Sequence, residues 1–206
     1  MVKFKKKSLS GSSKRWIQRH HNDDLVLKAK SLGYRSRAVF KLEEILNKIK
    51  FKKSFNNVLD IGSAPGGWSQ YIIKNFPKSK VYAVDILDME PIEGVFFFKE
   101  SIEEIDSIEP INNLKRKFNL VISDIAPNLS GIDAVDNENV YMLNKLSLKI
   151  ANDYLDLGGL LVMKTFQNNM LRSLRKDMEL SFNIVQTYKP AASKKQSGEI
   201  YLFGAK

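Results

Sequence analysis

Residues 58–68, Val-Leu-Asp-Ile-Gly-Ser-Ala-Pro-Gly-Gly-Trp, constrain the fold of this chain more than any other stretch. The run from Val58 to Ile61 is apolar and β-branched enough for a strand buried on both faces, as the strands of parallel sheets are. Gly62, Gly66 and Gly67 follow at once, supplying the positive φ angles and bare backbone through which a ligand approaches a strand-to-helix turn. A helix resumes at Trp68. The unit reads as the opening strand, turn and helix of a doubly wound α/β sheet.

The glycine spacing narrows the ligand. A dinucleotide fingerprint runs G-x-G-x-x-G, whereas this turn runs G-x-x-x-G-G with Pro65 inside it. That departure disfavours a pyrophosphate cradle and with it a nicotinamide-dependent dehydrogenase. It suits a ligand without phosphate, such as the nucleoside and amino-acid parts of S-adenosylmethionine. Residues 80–85 form a second strand ending on Asp85, at roughly the 20-residue distance where an acid meets ribose hydroxyls in such folds. Alone, an acid at a strand end is as readily a surface carboxylate; behind the glycine turn, Asp85 is read as a ribose ligand.

Composition bounds the partners. The chain has 206 residues and no cysteine, which suits one α/β domain in a reducing cytosol. His20 and His21 stand side by side in a basic stretch, so no metal site is expected. No apolar run approaches the ~18 residues of a membrane span. The net charge of +10 points to a polyanionic partner, and nucleic acid fits better than a membrane surface because no amphipathic basic helix is evident. Residues 1–21 read as a basic flexible arm with one aromatic anchor, Trp16. They lack the apolar core of a secretory signal; an organellar transit peptide is the lesser reading. Residues 22–206 read as a single domain, with 22–50 a helical extension packed on it, and a monomer is expected.

Along the chain, strand and helix patterns alternate. Asn22 or Asp23 caps a short helix ending at Gly33. A second helix opens near Ser36 with Val39, Phe40, Leu42, Ile45, Leu46 and Ile49 on one face. Lys41 lies at the boundary of that face, where a lysine by default lays its stem along the core and snorkels outward. Residues 95–98 read as a third buried strand, with Glu100 and Ser101 at its carboxyl end. Residues 102–113 read as a helix interrupted by Pro110, and 118–124 as a fourth strand closing on Asp124. The loop to Asp136 could be a lid. Residues 137–157 read as the longest helix, capped by Gly158-Gly159, and 160–164 as a fifth strand ending on Lys164. Residues 170–180 form a last helix, and residues 182–188 and 199–203 two final strands around a basic loop. The pattern implies a mostly parallel seven-stranded sheet with one antiparallel strand near the C-terminus and helices on both faces.

The carboxyl ends of parallel strands share one crevice, which gathers Asp85, Ser101, Asp124 and Lys164. A buried strand gains nothing from ending in lysine unless the ammonium meets a carboxylate. Asp124 is the natural partner, and a lysine simply reaching solvent is nearly as good a reading from the strand alone.

Five segments together carry a resemblance: YRSRAVFKL at 34–42, DIGSAPGGWSQ at 60–70, DIAPNLSG at 124–131, MKTFQ at 163–167 and SGEIY at 197–201. In this order they resemble the motifs of the FtsJ/RrmJ family, the S-adenosylmethionine-dependent RNA 2′-O-ribose methyltransferases. The resemblance runs from about Trp16 to the end of the chain and implies a Rossmann-like methyltransferase fold. It places a Lys-Asp-Lys-Glu catalytic tetrad on Lys41, Asp124, Lys164 and Glu199, and cofactor contacts on Gly66, Trp68, Asp85 and Asp124. Where members often have an aspartate for the adenine amino group, this chain has Ser101, which bears on cofactor affinity rather than activity. The compact form and the Trp-x-x-Arg-His arm resemble the bacterial branch, which implies a uridine of 23S ribosomal RNA in the assembled 50S particle as substrate. The implied chemistry is in-line attack of a ribose 2′-hydroxyl on the sulfonium methyl, with Lys164 orienting the hydroxyl and taking its proton. Transfer RNA or an RNA cap as acceptor, and a silent RNA-binding assembly factor, are the alternatives; the complete tetrad weighs against the last.

Overall fold

A computed structural model describes residues 23–49, 54–128, 130–194 and 196–206. The basic arm expected over 1–21, with Trp16, His20 and His21, lies outside the described residues.

Seven strands form one sheet: β1 (Asn57–Ile61), β2 (Lys80–Asp85), β3 (Val95–Lys99), β4 (Phe118–Ser123), β5 (Leu155–Phe166), β6 (Ile184–Tyr188) and β7 (Glu199–Ala205), in the order β3-β2-β1-β4-β5-β7-β6. Strands β1 to β5 run parallel, and β7 is inserted antiparallel to both β5 and β6. The order reverses at β1, where the chain crosses from the β2 side to the β4 side. This is the switch point at which open α/β sheets form a crevice.

Side-chain alternation along the strands builds two cores. Val58, Val81, Leu120, Ile122, Leu160 and Val162 face helices α2 (Val39–Ile49) and α3 (Gly67–Asn75), which contribute Phe40, Leu42, Ile45, Trp68 and Ile72. Leu59, Ile61, Val84, Val121, Leu161 and Met163 face the opposite layer. There the long helix α5 (Asp133–Tyr154) and helix α6 (Leu171–Glu179) supply Leu148, Ile150, Ala151, Leu174 and Met178. The short helix α1 (Asp24–Ser31) is capped by the Asp23 carboxylate, which accepts the Leu25 N–H. Arg37 ties that cap to the C-terminal loop by donating to both Asp23 and the Ala192 carbonyl.

Several boundaries differ from the sequence pattern. The helix expected over 102–113 is a 3-10 helix (Ile102–Ser107) followed by the single turn α4 (Glu109–Asn112), because Pro110 is accommodated only in a first turn. The β3 strand forms the sheet edge rather than its interior, so Phe96 is half exposed and stacks on Tyr82 of the neighbouring strand at 5.2 Å. Asp133 and Asp136, which the sequence pattern leaves in the loop before the long helix, belong instead to the first turn of α5. There they complement the helix dipole, and Asp136 accepts the N–H groups of Ser130 and Gly131. Gly158-Gly159 does not cap α5, which ends at Tyr154. The pair lies in a bulge of β5, where the register jumps from Phe118↔Leu155 to Leu120↔Leu160 and Gly158 takes a φ of 81°.

Candidate active site

Four charged side chains from four separate elements meet at the carboxyl ends of β4 and β5. The register pairs Ser123 with Met163, which places Asp124 and Lys164 level with one another, one residue further on. The Lys164 ammonium donates to the backbone carbonyl of Asp124 and lies 3.2 Å from its carboxylate Oδ1. Directly across the antiparallel pair, Lys164 faces Tyr201, whose phenol donates to the same Asp124 Oδ1 at 3.0 Å. Burial first, then the Asp124 and Glu199 carboxylates, push that phenol far above its ordinary range, so Tyr201 stays a neutral donor.

Two residues before Tyr201, on the same face of β7, Glu199 receives Lys41 as a bidentate partner at 2.7 and 2.9 Å. The Ser193 hydroxyl donates to the same carboxylate at 2.7 Å. Burial would raise the Glu199 carboxyl, but the Lys41 charge and hydrogen bond, the Ser193 hydrogen bond and the Lys164 charge together hold it below the usual range. Lys41 therefore does not snorkel, as its place on the helix pattern suggests. Its side chain is only 12% exposed because the anion that attracts it lies inside the fold, on β7.

Beside the charged cluster opens a cleft of about 430 Å³ lined by Gly62, Asp85, Leu87, Ser101, Ile102 and Asp124. A narrow recess of about 50 Å³, walled by Asp60, Ser63, Gly67, Trp68 and Asp124, shares Gly62, Ala64 and Asp124 with it. The Asp85 carboxylate accepts the Ala64 N–H with one oxygen and the Leu87 N–H with the other, both at 2.8 Å. That fixes its orientation and leaves each oxygen capacity to accept a further hydrogen bond. Ser101 caps the 3-10 helix by accepting the Glu103 N–H at 3.2 Å, so one of its two lone pairs is already used. Gly66 shapes the turn: it takes a φ of 97° as the residue before α3, and a Cβ there would lie 2.7 Å from Ile92. Trp68 donates its indole N–H to the Ala38 carbonyl at 2.8 Å, and its ring lies 5.8 Å from that of Tyr201. It thereby joins the glycine turn to the helix that carries Lys41.

Several residues to which the sequence reading gave no role complete the site. Asp60 is buried at the base of the recess and accepts the Ser69 hydroxyl at 2.6 Å. Burial pushes its carboxyl up to about 7, against the Ser69 hydrogen bonds and with help from the neighbouring Asp124 and Asp85 charges. The Ser63 hydroxyl is buried in the recess wall with no hydrogen-bond partner among the described residues. Arg35 donates to the carbonyls of Pro65, Glu90 and Pro91, clamping the glycine turn to the β2–β3 connection. Tyr201 and Ser193 had signals that could have found them. Tyr201 is at i+2 from Glu199 on a strand, and Ser193 lies in the basic loop that returns the chain to β7.

The whole arrangement has relatives. An FtsJ-like methyltransferase family model matches residues 34–206, from the Arg35 clamp to the end of the chain. The chain belongs to the FtsJ-like methyltransferase family. The ribosomal RNA large subunit methyltransferase E of Vesicomyosocius okutanii is 43% identical over 97% of this chain and 96% of its own length. Its namesake from Chromobacterium violaceum is 42% identical over 95% and 97%. Among solved structures, a ribosomal RNA methyltransferase of Plasmodium falciparum is 31% identical with a TM-score of 0.71, covering 84% of this chain and 97% of that one. A Burkholderia thailandensis N1-methyltransferase with bound S-adenosylhomocysteine is 13% identical at a TM-score of 0.59, a likeness of fold alone. As a member of this family the chain is a methyltransferase that uses S-adenosyl-L-methionine.

The residues present fit that cofactor. Cleft and recess form a continuous site of two unequal parts, as a nucleoside joined to an amino acid requires. An oriented carboxylate stands in the larger part, and an unpartnered buried hydroxyl in the smaller. Helix α3 begins at the recess with no side-chain cap on its first N–H groups, an arrangement suited to a carboxylate.

Proposed function

We propose that this protein transfers a methyl group to a ribose 2′-hydroxyl of large-subunit ribosomal RNA, a uridine of the 23S RNA in the assembled 50S particle. The observation that carries the reading is the pairing of Lys164 with Asp124 and of Lys41 with Glu199 beside the cleft that Asp124 lines. The ribosomal acceptor rests on the names of relatives that match nearly the full length of the chain. The protein is proposed to act as a monomer in the cytoplasm. Among the described residues no helix is long and apolar enough to cross a membrane.

S-adenosylmethionine supplies an electrophilic methyl on a sulfonium centre. Asp85 would hold the ribose of its nucleoside, Ser101 would stand toward the base, and Gly66, Trp68 and Asp124 would shape the passage toward the recess. The chain's own residues then do the positioning, which is the larger part of a displacement between two bound reactants. Lys164, fixed at two points by Asp124, would orient the attacking 2′-oxygen; once its ammonium has released one proton to solvent, the neutral amine would receive the hydroxyl proton at Nζ as the oxygen takes the methyl. Tyr201 holds the Asp124 carboxylate from the other side, so the ammonium and its counter-ion keep one geometry. Lys41, fixed by Glu199, would stand against the acceptor ribose or its phosphate.

The acceptor is tested by offering labelled S-adenosylmethionine with unmodified large ribosomal subunits and, in parallel, transfer RNA. Label in subunit RNA is the expected result, and label in transfer RNA alone would overturn the ribosomal assignment. The Ser63 hydroxyl gives a second check. Ser63→Ala is expected to weaken S-adenosylhomocysteine binding several-fold by calorimetry, the size of one hydrogen bond of about 1 kcal/mol. The same substitution is expected to raise the melting temperature of the cofactor-free protein slightly, because it removes a buried hydroxyl that has no partner among the described residues.

A further inference from the structure

We propose that the groove between residues 167–169 and the exposed face of α6 is a docking surface for the phosphate backbone of the substrate RNA, beside the target ribose. The inference rests on the RNA reading above and adds to it the place where the strand lies.

The groove has a volume of about 470 Å³ and is lined by Gln167, Asn168, Asn169, Arg172, Arg175 and Lys176, with Glu179 at its far end. It starts immediately beyond the catalytic strand pair. Phe166 pairs with Glu199, and the next N–H, that of Gln167, donates to the Gly198 carbonyl at 2.7 Å. A strand of RNA whose ribose reaches Lys164 therefore meets this corner first on that side of the site. The corner is held rigidly: the Asn168 carboxamide accepts the Met170 N–H at 2.9 Å and donates to Asn137 of α5 at 3.1 Å. A surface ordered in advance loses less freedom on binding.

The charges on α6 are sorted by what they already touch. Asp177 is turned toward α5, where Lys145 and Tyr141 hold it at 2.9 and 3.0 Å. Arg175 is occupied by Thr187, the Val185 carbonyl and Glu179. Arg172 and Lys176 form no ion pair with any described residue, and they stand one turn apart on the groove face. Two unpaired cations a turn apart, above a floor of carboxamides, match successive phosphates with hydroxyl and base edges below them. An acidic protein partner would also meet the cations, but it would not explain a groove that begins at Gln167, three residues beyond Lys164 on the same chain segment.

The test replaces both cations, Arg172→Ala with Lys176→Ala. A control of equal charge change, Lys78→Ala with Lys80→Ala, lies before and at the amino end of β2, at the opposite end of the sheet. Equilibrium binding of unmodified 23S RNA is measured across a salt series, together with KM and kcat for large subunits and the affinity for S-adenosylhomocysteine. The groove variant is expected to bind RNA at least ten-fold more weakly and to lose roughly 1–2 from the slope of log K against log salt. Its KM should rise with kcat and cofactor affinity retained, and the control should behave as wild type. An unchanged affinity and salt slope in the groove variant would overturn the inference, as would an equal loss in the control. A wild-type protein that methylates no RNA would instead overturn the proposed function, while the binding series would still decide the groove.

Discussion

Replacing Lys164 by alanine is expected to lower single-turnover methyl transfer by between ~10² and ~10⁴-fold, the range for loss of a positioned proton-transfer group. The size follows from how the side chain is held. Its ammonium is nearly buried and fixed by both the carbonyl and the carboxylate of Asp124, so no neighbour can move into its place. The pair of wild-type interactions also makes arginine a poor substitute. A planar guanidinium cannot repeat a compact ammonium seated between those two oxygens, and it does not give up its proton. Lys164→Arg should therefore fall close to Lys164→Ala. Affinity for S-adenosylhomocysteine serves as the folding control, because the cleft around Asp85 contains no atom of Lys164. Near wild-type transfer by Lys164→Ala, alongside loss in Asp124→Ala, would reassign the proton to another acceptor.

Asp60 is expected to make the stability of the protein fall as pH rises. Its carboxyl is pushed up to about 7 in the folded state from the ordinary value of 3.8. Between those values the unfolded chain has released the proton and the folded protein still binds it, so the slope of unfolding free energy against pH is negative. Above about pH 7 both states are ionised and the full cost of burying the charge is present. Asp60→Asn removes this titration while keeping an oxygen to accept the Ser69 hydroxyl. The variant's stability relative to wild type should rise by roughly 2–3 kcal/mol from pH 5 to pH 7 and then level off. Urea unfolding at several pH values measures it. Parallel curves for the two proteins would show that Asp60 is not the group that titrates.

What the sequence made legible was local. Val58 to Trp68 carries its strand, turn and helix within eleven consecutive residues, and the strand-end acids Asp85 and Asp124 stand at the crevice, whereas Glu100 does not line it. Lys41 was not legible from its helix, since an amphipathic pattern assigns charges outward and its partner Glu199 is 158 positions away. Only the resemblance of the whole motif set paired the two. Asp60 and Ser63 sit inside the recognised strand-and-turn stretch, yet their importance depends on burial that no spacing reports. Gly158-Gly159 looked like a helix stop because glycine pairs serve that end often. Here the positive φ is used by a bulge, which a single strand's sequence does not distinguish.

The central claim is that the methyl goes to a ribose oxygen. Large-subunit RNA labelled by the protein with radioactive S-adenosylmethionine is hydrolysed in alkali and its products are separated. A methylated 2′-oxygen cannot attack the neighbouring phosphate, so the account predicts that all label remains in an alkali-resistant dinucleotide and that Lys164→Ala places at least about a hundred-fold less there in the same time. Label recovered in a mononucleotide would place the methyl on a base and contradict the site chemistry derived from Lys164 and Asp124.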